Sequence, residues 1–328
     1  MKNRKIIGID LGGTTVKFAV VTTDGEIISK WSIVTDTSEE GTCITPSIIH
    51  ALKTYMSEHG YTSDDFIGIG MGSPGTVNKE YGTVIGAYNL NWVTTQNLRE
   101  EIEGATGIPF FIDNDANVAA LGEQWIGAGN KEPDVVFITL GTGVGGGVIV
   151  NGQIVHGSGG AAGEIGHMTV DRGGYDCTCG KQGCLETVAS ATGVVRVAKD
   201  RARTYSDDSV LKDSIVAEEP VDTKIIMDAA KEGDAFALSV IDEISDYLGL
   251  ACGNIANLLN PSTIVIGGGV SKAGDFLAEK IRDRFSVYAF PTIRTSTHIR
   301  LAELGNDAGV IGASSLVLNE SVYEQISE

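Results

Sequence analysis

One device occurs twice in this chain: an apolar strand enters a glycine turn and doubles back as a second strand. The first copy runs from Ile6 through Asp10-Leu11-Gly12-Gly13-Thr14-Thr15 to Val21 and closes at Asp24-Gly25. The second runs from Val135 through Leu140-Gly141-Thr142-Gly143-Val144-Gly145-Gly146-Gly147 to Val150 and closes at Asn151-Gly152. A glycine turn presents backbone N–H groups with no side chain in the way, which suits phosphate oxygens. Two such turns, one per half, point to two lobes gripping one polyphosphate from opposite sides.

At 328 residues the chain is longer than a typical single domain, which also favours two lobes. The net charge of −19 disfavours a nucleic-acid or anionic-membrane partner. An anionic substrate must then be neutralised locally by backbone dipoles, a lysine or a metal ion. Met1 to Ile9 holds only a short apolar run, too short for a signal sequence, and no stretch has membrane-spanning length. Three of the five cysteines cluster, which reads as a metal site in a reducing cytoplasm rather than as a disulfide framework.

Between the two copies, spacing predicts a helix over 46–58, buried strands over 66–72 and 110–112, and a helix over 116–125. The second meander covers 135–155. Residues 157–184 are irregular and glycine-rich, a loop that needs an external staple. Helices are expected over 186–204, 222–232 and 234–259, the last with Val240, Ile241, Ile244, Leu248, Ala251, Ile255 and Leu258 at helical spacing and Pro261 as its stop. Thr263-Ile264-Val265-Ile266 is a last buried strand leading into Gly267-Gly268-Gly269, and a helix over 307–318 follows. The order of elements gives an α/β fold with mixed sheets and two related lobes.

Asp10-Leu11-Gly12-Gly13-Thr14-Thr15 ends a strand, and a strand rather than a helix follows. It is therefore neither of the common glycine-rich nucleotide motifs. A plain hairpin with an Asp cap remains open; in the functional reading Asp10 holds Mg²⁺ through water and the Gly and Thr groups donate to phosphate. Lys17 reads as a solvated strand residue. Asn114-Asp115-Ala116-Asn117 falls at a strand end and a helix start, where Asn and Asp are good caps. The same position suits a general base that takes the proton of an attacking hydroxyl, the role given to Asp115.

His167, Cys177, Cys179 and Cys184 form His-x9-Cys-x-Cys-x4-Cys. Three thiolates and one imidazole complete a closed tetrahedral zinc site, structural rather than catalytic. Free core cysteines are the alternative here and the better reading for Cys43 and Cys252. Glu164 and Glu186 flank the cluster and suit a clamp on vicinal sugar hydroxyls, although Glu186 also serves as a helix cap. His167 can hold zinc with one ring nitrogen and face a sugar hydroxyl with the other. Asn89-Leu90-Asn91-Trp92 is a polar turn or part of a sugar site, and Gly267 to Gly269 suit contact with a base or ribose.

Taken together, these motifs resemble those of the ROK family of sugar kinases and sugar-responsive regulators over nearly the whole length. The matching runs include Asp10 to Thr14, Gly70-Met71-Gly72-Ser73-Pro74-Gly75, Asn114 to Asn117, Leu140 to Gly147, Gly163-Glu164-Ile165-Gly166-His167 and Cys177 to Glu186. The runs at Asn89 and at Leu185 to Ser190 look most like the bacterial glucokinases within it. The resemblance implies a two-lobed actin/hexokinase-like ATPase fold of duplicated ribonuclease H-like lobes. The expected lobes are 1–116, with a C-terminal helix of about 305–328 packing back on it, and 117–304, carrying the zinc loop. It implies ATP and Mg²⁺ in a closing cleft, Asp115 as base, and Asn89, Asn114, Glu164, His167 and Glu186 on the sugar, with Asn89 rather than Asn91 in contact. Asp10, Gly12, Gly13, Thr14, Thr15, Gly141, Thr142, Gly143, Gly145, Gly267, Gly268 and Gly269 are expected on the nucleotide. The implied activity is ATP:glucose 6-phosphotransferase in the cytoplasm, by a homodimer or higher homo-oligomer. An N-acetylglucosamine or N-acetylmannosamine kinase shares the chemistry. A sugar-responsive repressor is disfavoured by the acidic charge and by the nine residues before Asp10, and an actin-like filament would not need the metal-stapled loop.

Overall fold

The structure, a computed structural model, describes residues 4–327, with side chains as far as 319. In chain order the elements are β1 (Lys5–Leu11), β2 (Thr15–Val21), β3 (Ile27–Val34), α1 (Ile44–His59), β4 (Phe66–Ser73), β5 (Thr76–Asn78), β6 (Thr83–Ile85), α2 (Leu98–Thr106), β7 (Phe110–Asn114) and α3 (Asp115–Ile126). There follow β8 (Val135–Leu140), β9 (Val144–Val150), β10 (Gln153–Ile154), α4 (Glu186–Ala189), α5 (Ala191–Ala202), α6 (Val210–Val216), α7 (Thr223–Lys231) and α8 (Ala235–Leu259). The last are β11 (Thr263–Gly267), α9 (Asp275–Tyr288), α10 (Ile293–Ser296), β12 (His298–Leu301) and α11 (Ala308–Ser327).

Two compact units emerge. The first comprises Met1–Lys131, Ile154–Ala162 and Asn306–Glu328; the second comprises Glu132–Gln153 and Gly163–Gly305. The first unit therefore extends past the expected bound at 116 and takes in a stretch of the glycine-rich loop. The physical reason is that α3 packs along α11. The ends of the expected lobes, at 1–3 and 328, lie outside the described residues.

The first unit is built on a five-stranded sheet of order β3-β2-β1-β4-β7. β1 and β2, and β2 and β3, run antiparallel; β1 and β4, and β4 and β7, run parallel. β1 and β4 are apolar on both faces because both faces are covered. On one side lie Ile48 and Leu52 of α1, packed in one cluster with Ile7, Ile9 and Phe18. On the other side α11 lies so close that a Cβ on Gly8 would stand 2.0 Å from Val310 O, and one on Gly70 1.8 Å from Ala313 O. β3 alternates between exposed and half-buried residues, as befits an edge strand.

The second unit repeats the plan with the order β10-β9-β8-β11-β12. β8 and β9 are antiparallel, whereas β8 and β11, and β11 and β12, are parallel. An antiparallel pair joined by a glycine turn, then parallel strands, is thus the physical form of the sequence repeat. α8 starts at Asp234, whose side chain accepts from Ala237 N at 2.8 Å, and ends at Asn260 in the left-handed region. Its expected apolar stripe is buried from Val240 to Ile255, but Leu258 is 82% exposed because the last turn runs beyond the packed surface. The expected helix over 186–204 is two helices. Ser190 interrupts it in an extended conformation and caps α5 by accepting from Gly193 N.

Candidate active site

In the first unit, Asp10 and Thr15 bracket the turn between β1 and β2. The turn is held from below: Thr35 donates its hydroxyl to Gly12 O at 2.7 Å and its N–H to Thr14 O at 3.0 Å. Thr35 thus meets the inward carbonyls, and the turn is fixed without using a side chain of its own. Lys17 stands opposite Asp10 in the antiparallel register, with its Nζ 3.0 Å from Asp10 Oδ2. It is therefore paired with the candidate Mg²⁺ residue rather than free in solvent. Asn89 lies over the same turn, for a Cβ on Gly13 would meet its Nδ2 at 3.3 Å. Asn91 is committed elsewhere: it takes a left-handed φ of 60° and donates Nδ2 to Thr37 O at 2.8 Å.

β7 runs directly into α3, and the junction carries Asp113-Asn114-Asp115. Asn114 caps the helix by accepting from Ala116 N at 2.9 Å. The Asp115 carboxylate accepts from the same N–H at 2.8 Å and is otherwise exposed at its tip. Partial desolvation at the strand–helix junction lifts its carboxyl above the ordinary aspartate range. The Ala116 N–H opposes the rise, and the negative charge of Asp10 adds to it. Such a carboxyl is a stronger base than a fully solvated one. The buried residues around it, Asp113 and Asn117, are tied to each other by a 2.9 Å hydrogen bond.

In the second unit the turn from Gly141 to Gly143 closes with Gly141 N donating to Gly143 O at 2.9 Å. Ala191 N then donates to Gly141 O at 2.8 Å, and the Thr192 hydroxyl reaches Thr142 O at 3.3 Å, so the start of α5 supports the turn. Glu186, at the head of α4, places Oε2 on Val144 N at 2.9 Å. This carboxylate, expected on the sugar, therefore also buttresses the second glycine turn; a Cβ on Gly143 would come within 2.4 Å of it. Gly145 opens the central part of β9 opposite Thr139. Beyond it, Gly146 lets the segment 163–167 lie directly on the strand, since a Cβ there would meet Gly163 O at 2.8 Å. That approach fixes Glu164, which is exposed, and His167, which is half-buried, with His167 Nε2 3.8 Å from Glu164 Oε2.

His167, Cys177, Cys179 and Cys184 converge, with all ligand atoms within 4.8 Å of one another. The Cys179 and Cys184 sulfurs are 3.7 Å apart, and Cys177 Sγ is 3.7 Å from His167 Nδ1. Bond lengths of about 2.3 Å to sulfur and about 2.0 Å to nitrogen at tetrahedral angles give separations of roughly 3.5–3.8 Å, so the four residues fit zinc. The Nδ1 edge of His167 faces the sulfurs, which leaves Nε2 toward Glu164. Burial and the neighbouring sulfurs push the Cys184 thiol up to about 12, whereas the Lys181 N–H pulls that of Cys179 down. A cation that displaces these protons would remove the unevenness. The loop that carries these residues is also held by Lys181 Nζ on His167 O at 2.7 Å and Leu185 N on Met168 O at 2.9 Å.

Gly267 ends β11, and Gly268 turns there with φ +86° so close to β8 that a Cβ would stand 2.5 Å from Leu140 O. The parallel pairing of β8 with β11 therefore sets the Gly267–Gly269 turn beside the Gly141 turn. Gly269, with open space at its Cβ position, lines a cavity of about 630 Å³ with Thr192, Thr223, Lys224 and Lys272. Spacing alone does not reveal the pairing of Lys17 with Asp10 or of the loop residue His156 with Asp113, because each partner lies on another strand or loop.

The ROK family pattern matches residues 6–320. The chain is 48% identical to a glucokinase of Halalkalibacterium halodurans over 318 residues, which is 97% of this chain and 96% of that one. Among solved structures it is similar to a ROK hexokinase from Thermus thermophilus, with a TM-score of 0.82, 30% identity, and coverage of 97% and 99%. A ROK glucokinase from Streptomyces griseus, solved with glucose and AMPPNP, gives a TM-score of 0.75 and 33% identity over 96% of this chain and 99% of that one. The fold is therefore the mixed-sheet, actin/hexokinase-like α/β fold of these kinases, and the chain belongs to the ROK family.

Proposed function

We propose that the protein transfers the γ-phosphoryl group of ATP to the 6-hydroxyl of glucose, with Asp115 as general base. The observation that carries this reading is the placement of Asp115, an exposed carboxylate at the start of α3 beside the Asn114 cap. The family's glucokinases and the glucose–AMPPNP complex support the choice of substrates. Asp115 accepts the hydroxyl proton as the oxygen attacks phosphorus, and Asn114 and Asn89 orient the sugar. In the first unit Gly12, Gly13, Thr14 and Thr15 donate to phosphate oxygens, as do Gly141, Thr142, Gly143 and Gly145 in the second. The cavity at Gly269 takes the base and ribose, with Gly267 and Gly268 shaping its wall. Mg²⁺, when bound near Asp10, supplies charge neutralisation for the phosphates.

Glu164 and Glu186 accept hydrogen bonds from vicinal sugar hydroxyls, and His167 contributes Nε2 while Nδ1 faces the metal position. His167, Cys177, Cys179 and Cys184 would hold zinc, which would stiffen the loop that carries these groups. On this reading the kinase works in the cytoplasm, as a homodimer or higher homo-oligomer. No described helix is long and apolar enough to cross a membrane. ATP consumption should be measured with glucose, mannose, fructose, N-acetylglucosamine and N-acetylmannosamine, with product mapped by phosphorus NMR. Glucose is expected to give the highest kcat/KM and a 6-phosphate. Preference for an N-acetylated sugar would replace the glucose assignment, and no turnover with any hexose would overturn the kinase reading.

A further inference from the structure

Asp113 is 2% exposed, yet it carries a carboxylate two residues before the proposed base. Its two oxygens are fully engaged. Oδ1 accepts from Asn114 N at 2.7 Å and from Asn117 Nδ2 at 2.9 Å; Oδ2 accepts from His156 Nε2 at 2.7 Å. Asn114 and Asn117 are the residues that flank Asp115 on the first turn of α3, so Asp113 braces that turn from beneath. Two of its three partners are local. The third, His156, comes from 154–162, a stretch that belongs to the first unit although the chain on both sides of it belongs to the second. A return hydrogen bond from Ala162 N to His156 O at 3.0 Å closes this stretch into a compact loop.

We propose that His156 is a positioning residue for phosphoryl transfer: through Asp113 it fixes the Asn114–Asp115 turn and so aims the base. A nearly buried carboxylate that loses one of its donors is strongly driven to find another. Without His156, Asp113 Oδ2 has no donor among the described residues, and the carboxylate must rotate toward water or toward its remaining partners. Either motion shifts the Asn114 N–H that it holds, and Asp115 follows. A displacement of about 1 Å at a reacting group costs up to about 10²-fold in rate. Ground-state contacts to ATP, made elsewhere, are unaffected. The proposal rests on the reading of Asp115 as base.

The test compares His156→Ala, His156→Gln and His156→Asn in the full-length protein. A Gln side chain can present an N–H near the depth of Nε2, whereas Asn is too short to reach. His156→Ala and His156→Asn should lower kcat with glucose by roughly 10- to 100-fold while KM for ATP stays within about twofold. His156→Gln should restore most of the loss. If Ala does not fold, the Gln and Asn pair decides. Wild-type kcat in the Asn variant, failure of a folded Gln variant to exceed Asn, or a change confined to KM would overturn the proposal. Amide NMR gives a readout independent of turnover: signals of 113–117 should move in His156→Asn and return in His156→Gln. Unmoved signals would refute the link to the turn. Moved signals in His156→Asn, together with a wild-type protein that phosphorylates no hexose, would instead refute the kinase reading and leave the link standing.

Discussion

Replacing Gly143 with Ala tests how the second glycine turn and the proposed sugar clamp at Glu186 depend on each other. An added Cβ would lie 2.4 Å from Glu186 Oε2 and 3.4 Å from its Cδ. No backbone atom obstructs it, and Gly143 is not among the residues of positive φ, so the main chain can accept alanine. The carboxylate must therefore leave, and with it goes the 2.9 Å hydrogen bond from Val144 N. A hydrogen bond to a charged group contributes about 1.5–3 kcal/mol. At about 1.4 kcal/mol per factor of ten, freeing Glu186 should weaken glucose binding roughly 10- to 100-fold. Isothermal titration calorimetry with glucose and no nucleotide measures this directly, with circular dichroism as the check on folding. The double variant Gly143→Ala, Glu186→Gln should be little weaker than Glu186→Gln alone, because both changes act on one contact. Wild-type glucose affinity in a folded Gly143→Ala protein, or full additivity in the double variant, would refute the argument.

Asp115→Asn should lower turnover by roughly 10²–10⁴-fold with folding retained, measured as initial rates of ADP release. Because partial desolvation raises the folded-state pKa of Asp115 above its unfolded value, ionisation costs the folded state stability. That cost is absent well below the unfolded pKa, where both states are protonated, and is complete above the raised one. Thermal melts should thus show Asp115→Asn more stable than wild type at neutral pH, with the gain vanishing toward about pH 3; a constant gain would contradict the shift. Cys179→Ala should lose one equivalent of zinc by mass spectrometry under native conditions and weaken glucose binding, whereas unchanged metal content would remove the metal site from the account. Gly312→Ala would drive a Cβ to within 1.6 Å of Val118 O at the crossing of α3 and α11, so Tm should fall by several degrees, consistent with an overpacking cost of about 1–3 kcal/mol; an unchanged melt would mean that the helices can separate freely.

The local chemistry of the chain was legible before any fold. The two glycine turns, the cap at Asn114, the His/Cys cluster from His167 to Cys184 and the stop at Pro261 each depend on residues near one another in sequence, or on spacings that suit a metal. Periodicity also located most long helices, because burial of one face is a property of a single segment. It overran at Ser190, where a side-chain cap restarts the helix, and at Leu258, where the helix outruns its packing surface.

Other features depend on what the chain meets after folding. Lys17 looks solvated in sequence and becomes the partner of Asp10 only because β1 and β2 pair in one register. Glu186 becomes a brace for Val144 only when α4 packs beneath the turn, and His156 becomes the third donor to Asp113 only when a remote loop closes on β7. Segment chemistry determined which turns, caps and ligands this protein would contain. Tertiary structure decided which carboxylate each distant donor satisfies, because a buried charge takes whichever partner the fold delivers and no sequence spacing encodes that distance.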